Sequence, residues 1–117
     1  MTQPRLLLHI EGLVMLIGAA VAYAYLGGSG VLFALLLFVP DVFMIGYARD
    51  VQLGATIYNI GHAYVLPVML LGIGFAATWE LGVLLGLIWL AHIGLDRTLG
   101  YGLKYPTEFK DTHMGHV

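Results

Sequence analysis

Long apolar segments alternate with short polar breaks along the chain, and this pattern predicts membrane-spanning helices. Each segment approaches the roughly 20 residues that a helix needs to cross a bilayer. Because the breaks are only a few residues long, neighbouring helices must run antiparallel. The sequence therefore predicts an all-α fold, a four-helix transmembrane bundle with up-down topology, in a single integral membrane domain over residues 1–117. The predicted spans are about Leu6–Leu26, Val31–Tyr47, Leu53–Ala77 and Leu81–Leu99.

Prolines lie inside the second and third predicted spans, at Pro40 and Pro67. A proline inside a helix removes one N–H donor, and its ring crowds the carbonyl four residues earlier. Membrane helices tolerate this change where neighbouring groups satisfy the freed backbone. We therefore expect each proline to kink its helix.

Composition supports the membrane class. The chain is 60% hydrophobic and 10% charged, with a mean hydropathy of +0.89, whereas soluble domains carry about 25% charged residues. The formal net charge of -2 and the lack of a basic patch exclude a nucleic-acid partner. There are no cysteines, so disulfides and thiolate metal sites are excluded. Any metal must be bound by nitrogen and oxygen.

Basic residues predict the orientation in the membrane. All five fall on the same side of the predicted spans, and the breaks after spans one and three contain none. Lysine and arginine favour the cytoplasmic side, so both chain termini are predicted to be cytoplasmic. The basic residues are Arg5, Arg49, Arg97, Lys104 and Lys110.

Polar side chains interrupt the apolar spans at one depth. A charged side chain at the centre of a membrane helix costs roughly 2.5–3.5 kcal/mol. At 1.5 Å per residue, these groups fall within roughly 10 Å of one level in the cytoplasmic leaflet. This layer predicts a functional site. Its members are His9, Glu11, Asp41, Asn59, His62, His92, Asp96 and Arg97.

Helical spacing indicates which of these side chains share a face. His92 and Asp96 are four residues apart, and Asn59 and His62 are three apart, so each pair lies on one side of its helix. His9 and Glu11 point in nearly opposite directions. We expect Glu11 to face the interior, with His9 nearer the interface. The Glu11 face continues through Met15 to Gly18 and Ala22, and the two small residues suit helix packing.

Imidazoles and carboxylates converging from several helices are typical of a metal site in a bundle core. His62, His92 and Asp96 form a set of two histidines and one carboxylate, and Asp41 adds a further oxygen ligand. Such ligands suit Zn, Fe or Mn. With an open position, the metal would activate water for hydrolysis of a lipid-like substrate. The catalytic candidates beside the metal are Glu11, Tyr58 and Asn59.

Other interpretations of the polar layer stay open at this point. His62 and His92 share a depth suited to a bis-imidazole haem, although the nearby carboxylates would occupy its space. Four short spans also match the size of small proton-coupled transporters that work as dimers and use a glutamate in the first span, here Glu11. In a purely structural protein, the polar groups would only fix helix packing, and Arg97 would snorkel to the interface.

The last segment, residues 100–117, mixes aromatic residues with charge and is predicted to lie at the cytoplasmic interface. Aromatic side chains there suit the headgroup layer, and lysines suit anionic lipid. Two roles fit this tail, a plain anchor or a lid folded back over the polar layer. The aromatic residues are Tyr101, Tyr105 and Phe109.

The polar positions resemble the pattern of a bacterial family called domain of unknown function 4260, whose members are small four-span membrane proteins. The resemblance covers nearly the whole chain and implies a protein of the bacterial inner membrane, without implying a particular activity. A looser similarity is to membrane-bound metal-dependent hydrolases, whose fuller histidine pattern is missing. The resembling stretches are His9-Ile10-Glu11-Gly12, Pro40-Asp41, Tyr58-Asn59 with His62, and Trp89 with His92 and Asp96-Arg97, continuing from Gly100 to His113.

Overall fold

The computed structural model describes residues 3–41, 49–103 and 112–116, and the fold is all-α, as predicted. Residues 42–47 of the second predicted span lie outside the described residues, as do Lys104, Tyr105, Phe109 and Lys110 of the tail. The helices are α1 (Gln3–Tyr25), α2 (Gly30–Leu36), α3 (Val51–His62), α4 (Val65–Ala76) and α5 (Glu80–Leu99), followed by a short 3-10 helix (His113–His116).

Three helical stretches in the described part of the chain are long and apolar enough to cross a membrane. They match the first, third and fourth predicted spans. The described part of the second span forms only a shorter apolar helix, Gly30–Asp41. The number of crossings and their direction stay predictions. The membrane-like stretches are Gln3–Tyr25, Val51–Ala76 and Glu80–Leu99.

Helix α5 lies at the centre of the described bundle. In the apolar window of α5, 61% of the residues are buried, against 17% in α1 and 22% in Val51–Ala76. Helices α1 and α4 pack on α5, and residues of α2 complete the apolar contacts. Because α5 is covered on several sides, its side chains are the ones best placed to build a buried site. The two apolar clusters contain Tyr23, Val83, Leu84, Leu87 and Ile88, and Ala19, Leu90 and Ala91.

Helices α1 and α5 approach closely where two glycines meet. A Cβ atom added at Gly94 would lie 2.7 Å from the carbonyl oxygen of Gly12 and 2.7 Å from the backbone nitrogen of Leu16. A Cβ atom at Gly12 would collide with the side chain of Arg97. Small residues allow such backbone contact between membrane helices. This crossing sets which face of α1 is buried.

Each proline breaks its helix rather than bending it. Helix α3 ends at His62 and α4 begins at Val65, and Ala63 between them is extended at φ -91° and ψ 154°. Ala63 is the residue whose carbonyl the Pro67 ring would crowd in a continuous helix. In the same way, α2 ends at Leu36, four residues before Pro40. The kink expected at Pro67 is therefore a complete interruption, whereas near Pro40 the α-helix gives way to a turn and a 3-10 segment that reaches Asp41.

The C-terminal residues fold back onto the helices. Nε of Arg5 donates a hydrogen bond to the carbonyl oxygen of Met114 at 2.9 Å. The backbone nitrogen of His113 donates to the carbonyl oxygen of Leu103 at 2.7 Å. The Met114 side chain is buried, with 1% of its surface exposed. The described end of the tail is thus packed against the bundle, whereas Tyr101 is exposed.

We predict that Gly94→Ala destabilises the protein by about 1–3 kcal/mol, because its new methyl group meets backbone atoms that cannot move aside. Thermal unfolding in detergent, followed by circular dichroism, measures this loss. Gly18→Ala is the matched control, since nothing lies within 4 Å of a Cβ atom at that position. Equal unfolding temperatures for the two variants would contradict the proposed crossing.

Candidate metal centre

Two imidazoles and two carboxylates meet beside α5. One ligand atom from each residue lies within 4.8 Å of the other three. The two Nε2 atoms are 3.0 Å apart, and the four distances from an Nε2 atom to a carboxylate oxygen are 3.2–3.5 Å. These are the four residues that the sequence analysis named as metal ligands, and the fold brings all of them together. The group consists of Asp41, His62, His92 and Asp96.

Three chain segments supply the group, and two of them end at a helix break. His92 and Asp96 lie one turn apart on the buried face of α5. His62 is the last residue of α3, so the break at Ala63 places its ring at the open end of that helix. Asp41 follows Pro40 in a 3-10 turn, where its backbone nitrogen donates to the carbonyl oxygen of Phe38 at 3.0 Å.

The ring of His62 is fixed by its surroundings. Its Nδ1 atom lies 2.9 Å from the carbonyl oxygen of Tyr58, so Nδ1 carries a proton and donates it. The Tyr58 ring stacks on the imidazole at 3.7 Å with an interplanar angle of 6°. In the neutral ring, Nε2 is then an unprotonated acceptor that faces Asp41 and His92. A backbone carbonyl on the distal nitrogen is the usual arrangement for a histidine that binds a metal.

The ring of His92 is more deeply buried, with no exposed surface. Its Nδ1 atom makes no hydrogen bond among the described residues. The Phe38 ring packs edge-on against the imidazole, with 6.1 Å between the two ring centroids. Both imidazoles therefore turn Nε2 toward the two carboxylates.

The spacing of the four atoms matches a tetrahedral metal site. Zinc binds imidazole nitrogen and carboxylate oxygen at about 2.0–2.2 Å, which places neighbouring ligand atoms of a tetrahedron roughly 3.3–3.6 Å apart. Five of the six separations between the ligand atoms, at 3.0–3.5 Å, are close to that range, and the two carboxylate oxygens lie within 4.8 Å of each other. Without an ion, the two facing Nε2 atoms need a shared proton, because two Nε2–H groups would collide at 3.0 Å.

The four side chains of the group differ in how much of their surface is exposed. The side chains of His62 and His92 are 3% and 1% exposed, and that of Asp96 is 15% exposed, whereas that of Asp41 is 37% exposed. Three of the residues are therefore shielded from their surroundings. Asp41 is the member of the group that solvent or a ligand can reach most easily.

Side chains of α5 also hold the end of α3. Nε1 of Trp89 donates to the carbonyl oxygen of Gly61 at 2.7 Å, and Nη2 of Arg97 donates to that of His62 at 3.0 Å. Helix ends leave such carbonyls without helical partners. The alternative in which Arg97 snorkels to the interface does not hold, since only 8% of Arg97 is exposed. The sequence signal for this role was Pro67, because a proline inside a helix leaves nearby backbone carbonyls in need of hydrogen-bond donors.

Glu11 does not join the group. The prediction that it faces the interior is wrong, because Glu11 is exposed and the buried positions of α1 are Gly12, Ala19 and Tyr23. Because α1 contacts α5 closely at Gly12, the buried face of α1 includes Gly12 rather than its neighbour Glu11. His9 instead contacts α5, where its Nδ1 atom lies 2.8 Å from the carbonyl oxygen of Thr98.

The other two catalytic candidates lie on α3 beside the group. Tyr58 is buried and covers one face of His62, and Asn59 is half-buried. The structure thus places Tyr58 against a candidate ligand. Catalytic roles for Tyr58, Asn59 and Glu11 stay predictions.

The sequence pattern of one protein family, described as a domain of unknown function (DUF4260), matches residues 5–117. The chain belongs to this family. The match confirms the resemblance drawn from the polar positions, and it covers all four residues of the candidate metal centre. No curated protein and no solved structure matches the chain.

We predict that Trp89→Phe lowers the free energy of unfolding by about 1 kcal/mol, because the Gly61 carbonyl loses its indole donor. Trp79→Phe is the matched control, since Trp79 lies at the exposed start of α5. Thermal unfolding of both variants in the same detergent makes the comparison. If Trp89→Phe loses no more stability than Trp79→Phe, the hydrogen bond from Trp89 does not hold the end of α3.

His113 supports the docked tail in its neutral form. Its Nδ1 atom accepts a hydrogen bond from the backbone nitrogen of Leu103 at 2.7 Å, and Nη1 of Arg97 lies 3.2 Å from its Nε2 atom. Burial lowers the pKa of the His113 imidazole, and the Arg97 guanidinium lowers it further. The undocked tail therefore binds a proton more readily than the docked tail.

We predict that the tail loosens as the pH falls below about 6.5, the usual pKa of histidine, and is most stable above it. Hydrogen exchange at the Leu103 amide, corrected for its intrinsic pH dependence, should accelerate between pH 8 and pH 5.5. His113→Gln should lose this pH dependence. An identical dependence in His113→Gln would assign the effect to another group.

Proposed function

We propose that this protein binds one divalent transition metal ion at Asp41, His62, His92 and Asp96, and that Zn²⁺ fits best. Five of the six separations between the ligand atoms carry the proposal, because at 3.0–3.5 Å they approach those of a tetrahedron around zinc. Fe and Mn accept the same ligand types. The tautomer of His62, fixed by the Tyr58 carbonyl, leaves Nε2 free to bind.

Charge supports the same proposal. Two aspartates carry two negative charges beside imidazoles that are almost fully buried. Two neighbouring negative charges repel each other, and the shielded carboxylate of Asp96 is poorly solvated, which costs several kcal/mol for a buried ion. A divalent cation makes the group neutral. A bound metal therefore offsets the cost of carrying these carboxylates within an apolar bundle.

We further propose that the metal serves hydrolysis of a lipid-like substrate. Catalytic zinc sites keep three protein ligands and one exchangeable position. Here His62, His92 and Asp96 are shielded, while Asp41 is 37% exposed and lies on a short turn. Exchange of Asp41 for water would supply the open position, at which a metal activates water. The proposed setting is a bacterial inner membrane, with the site in the cytoplasmic leaflet.

A structural metal site is the second candidate, and the complete set of four protein ligands favours it. Structural zinc sites are usually closed in this way. The proton-coupled transporter stays a weaker alternative, since Glu11 lies outside the group of four. The haem alternative has no support in the geometry, because 3.0 Å between the Nε2 atoms leaves no room for an iron with two axial imidazoles.

Elemental analysis of protein purified without a polyhistidine tag tests the metal site. We predict about one equivalent of transition metal in the wild type and in His9→Ala, and none in His92→Ala. His9 is the matched control, because it lies at a similar depth but outside the group. Asp41→Ala should keep the metal but bind it more weakly than the wild type, because three of the four ligands remain. Circular dichroism verifies that each variant is folded.

Absence of metal from the wild type after loading with Zn, Fe and Mn would refute the site. Hydrolysis is tested separately, by incubating the metal-loaded protein with a phospholipid extract in water labelled with heavy oxygen. Mass spectrometry should find labelled products that His92→Ala does not form. Bound metal without labelled products would leave the structural role as the function of the site.

A further inference from the structure

A groove of about 600 Å³ runs along α1, on a part of the surface to which none of the four candidate metal ligands contributes. Its lining is apolar except for Glu11 and Tyr64. Val14 on its rim is 65% exposed, so the groove opens outward from an apolar helix. Gly18 lines the groove, and nothing lies within 4 Å of a Cβ atom added there. Binding sites for small ligands commonly have volumes of about 300–1,000 Å³.

Glu11 is a carboxylate in an apolar setting. It lies in a helix long and apolar enough to cross a membrane, and it is exposed. Among the described residues, no lysine, arginine or histidine lies within ion-pair distance of it. Ionisable groups at such positions are costly and usually mark a binding site or pathway. A cation from outside the chain would satisfy Glu11.

We propose that this groove binds an amphiphile with an ammonium headgroup, with the ammonium at Glu11 and the hydrocarbon chain along the apolar lining. The charge of Glu11 favours a cationic head and disfavours a phosphate or a free fatty acid. The neighbouring apolar residues favour a hydrocarbon chain over a polar cation. This inference is independent of the metal site and would stand without it.

A second copy of the chain is a poorer occupant of the groove. Arg5 and Arg97 both donate hydrogen bonds within their own chain. Arg97 also lies 5.6 Å from the Tyr64 ring centroid, but it does not line the groove. Arg49 is exposed, but it lines a different part of the surface, beside the start of α3. Pairing of Arg5 or Arg97 with Glu11 of another molecule would compete with these contacts, whereas a small ammonium group meets no such competition.

Native mass spectrometry of delipidated protein in a non-ionic detergent tests the proposal with two probes of equal chain length, dodecylamine and dodecanol. We expect dodecylamine to bind more tightly than dodecanol. Glu11→Gln should weaken dodecylamine binding by about tenfold and leave dodecanol binding unchanged. Gly18→Leu should reduce binding of both, because its side chain fills the groove. Gly72→Leu is the matched control, since a Cβ atom there also meets nothing within 4 Å.

Several outcomes would overturn the inference. Equal binding of the two probes by the wild type would make the groove an ordinary lipid-facing surface. Unchanged dodecylamine binding in Glu11→Gln would remove the headgroup assignment. A Gly18→Leu variant that loses a dimer seen in the wild type, with probe binding unaffected, would identify a second copy as the occupant. Metal content has no bearing on any of these results.

Discussion

A helix that ends inside an apolar bundle leaves backbone carbonyls without partners, and the site is built around this constraint. An unsatisfied buried carbonyl costs about 1–3 kcal/mol. At the end of α3, the carbonyls of Gly61 and His62 receive hydrogen bonds from Trp89 and Arg97 of α5. The same face of α5 carries His92. Trp89 and Arg97, which stabilise the end of α3, therefore also hold the His62 ring opposite that of His92.

The crossing of α1 and α5 adds a second constraint. Gly12 and Gly94 allow backbone contact, and the aliphatic stem of Arg97 lies directly over Gly12. Arg97 is thereby confined between α1 and the end of α3. Its guanidinium also faces His113 in the returning tail. One buried arginine thus links the first helix, the broken helix and the C-terminal residues.

The candidate site could be largely predicted from the sequence because its signals are local. The four-residue spacing of His92 and Asp96 fixes a shared helix face, and Pro40 and Pro67 mark the breaks beside Asp41 and His62. Glu11 could not be placed in this way. Neighbouring positions of a helix differ by only 100° in direction, and the contact that decides between them is the crossing at Gly12, which depends on a residue 82 positions away. The role of Arg97 was missed for a similar reason, since its partner is a backbone carbonyl of another helix.

The order of the ligands along the chain has a consequence for biogenesis. Asp41 and His62 are synthesised well before His92 and Asp96, which lie on the last long helix. Because a growing chain emerges from its N-terminus, the first two residues leave the ribosome before their partners exist. The group of four residues forms only after α5 has been synthesised and packed. Any ion held by all four residues is therefore acquired at the end of assembly.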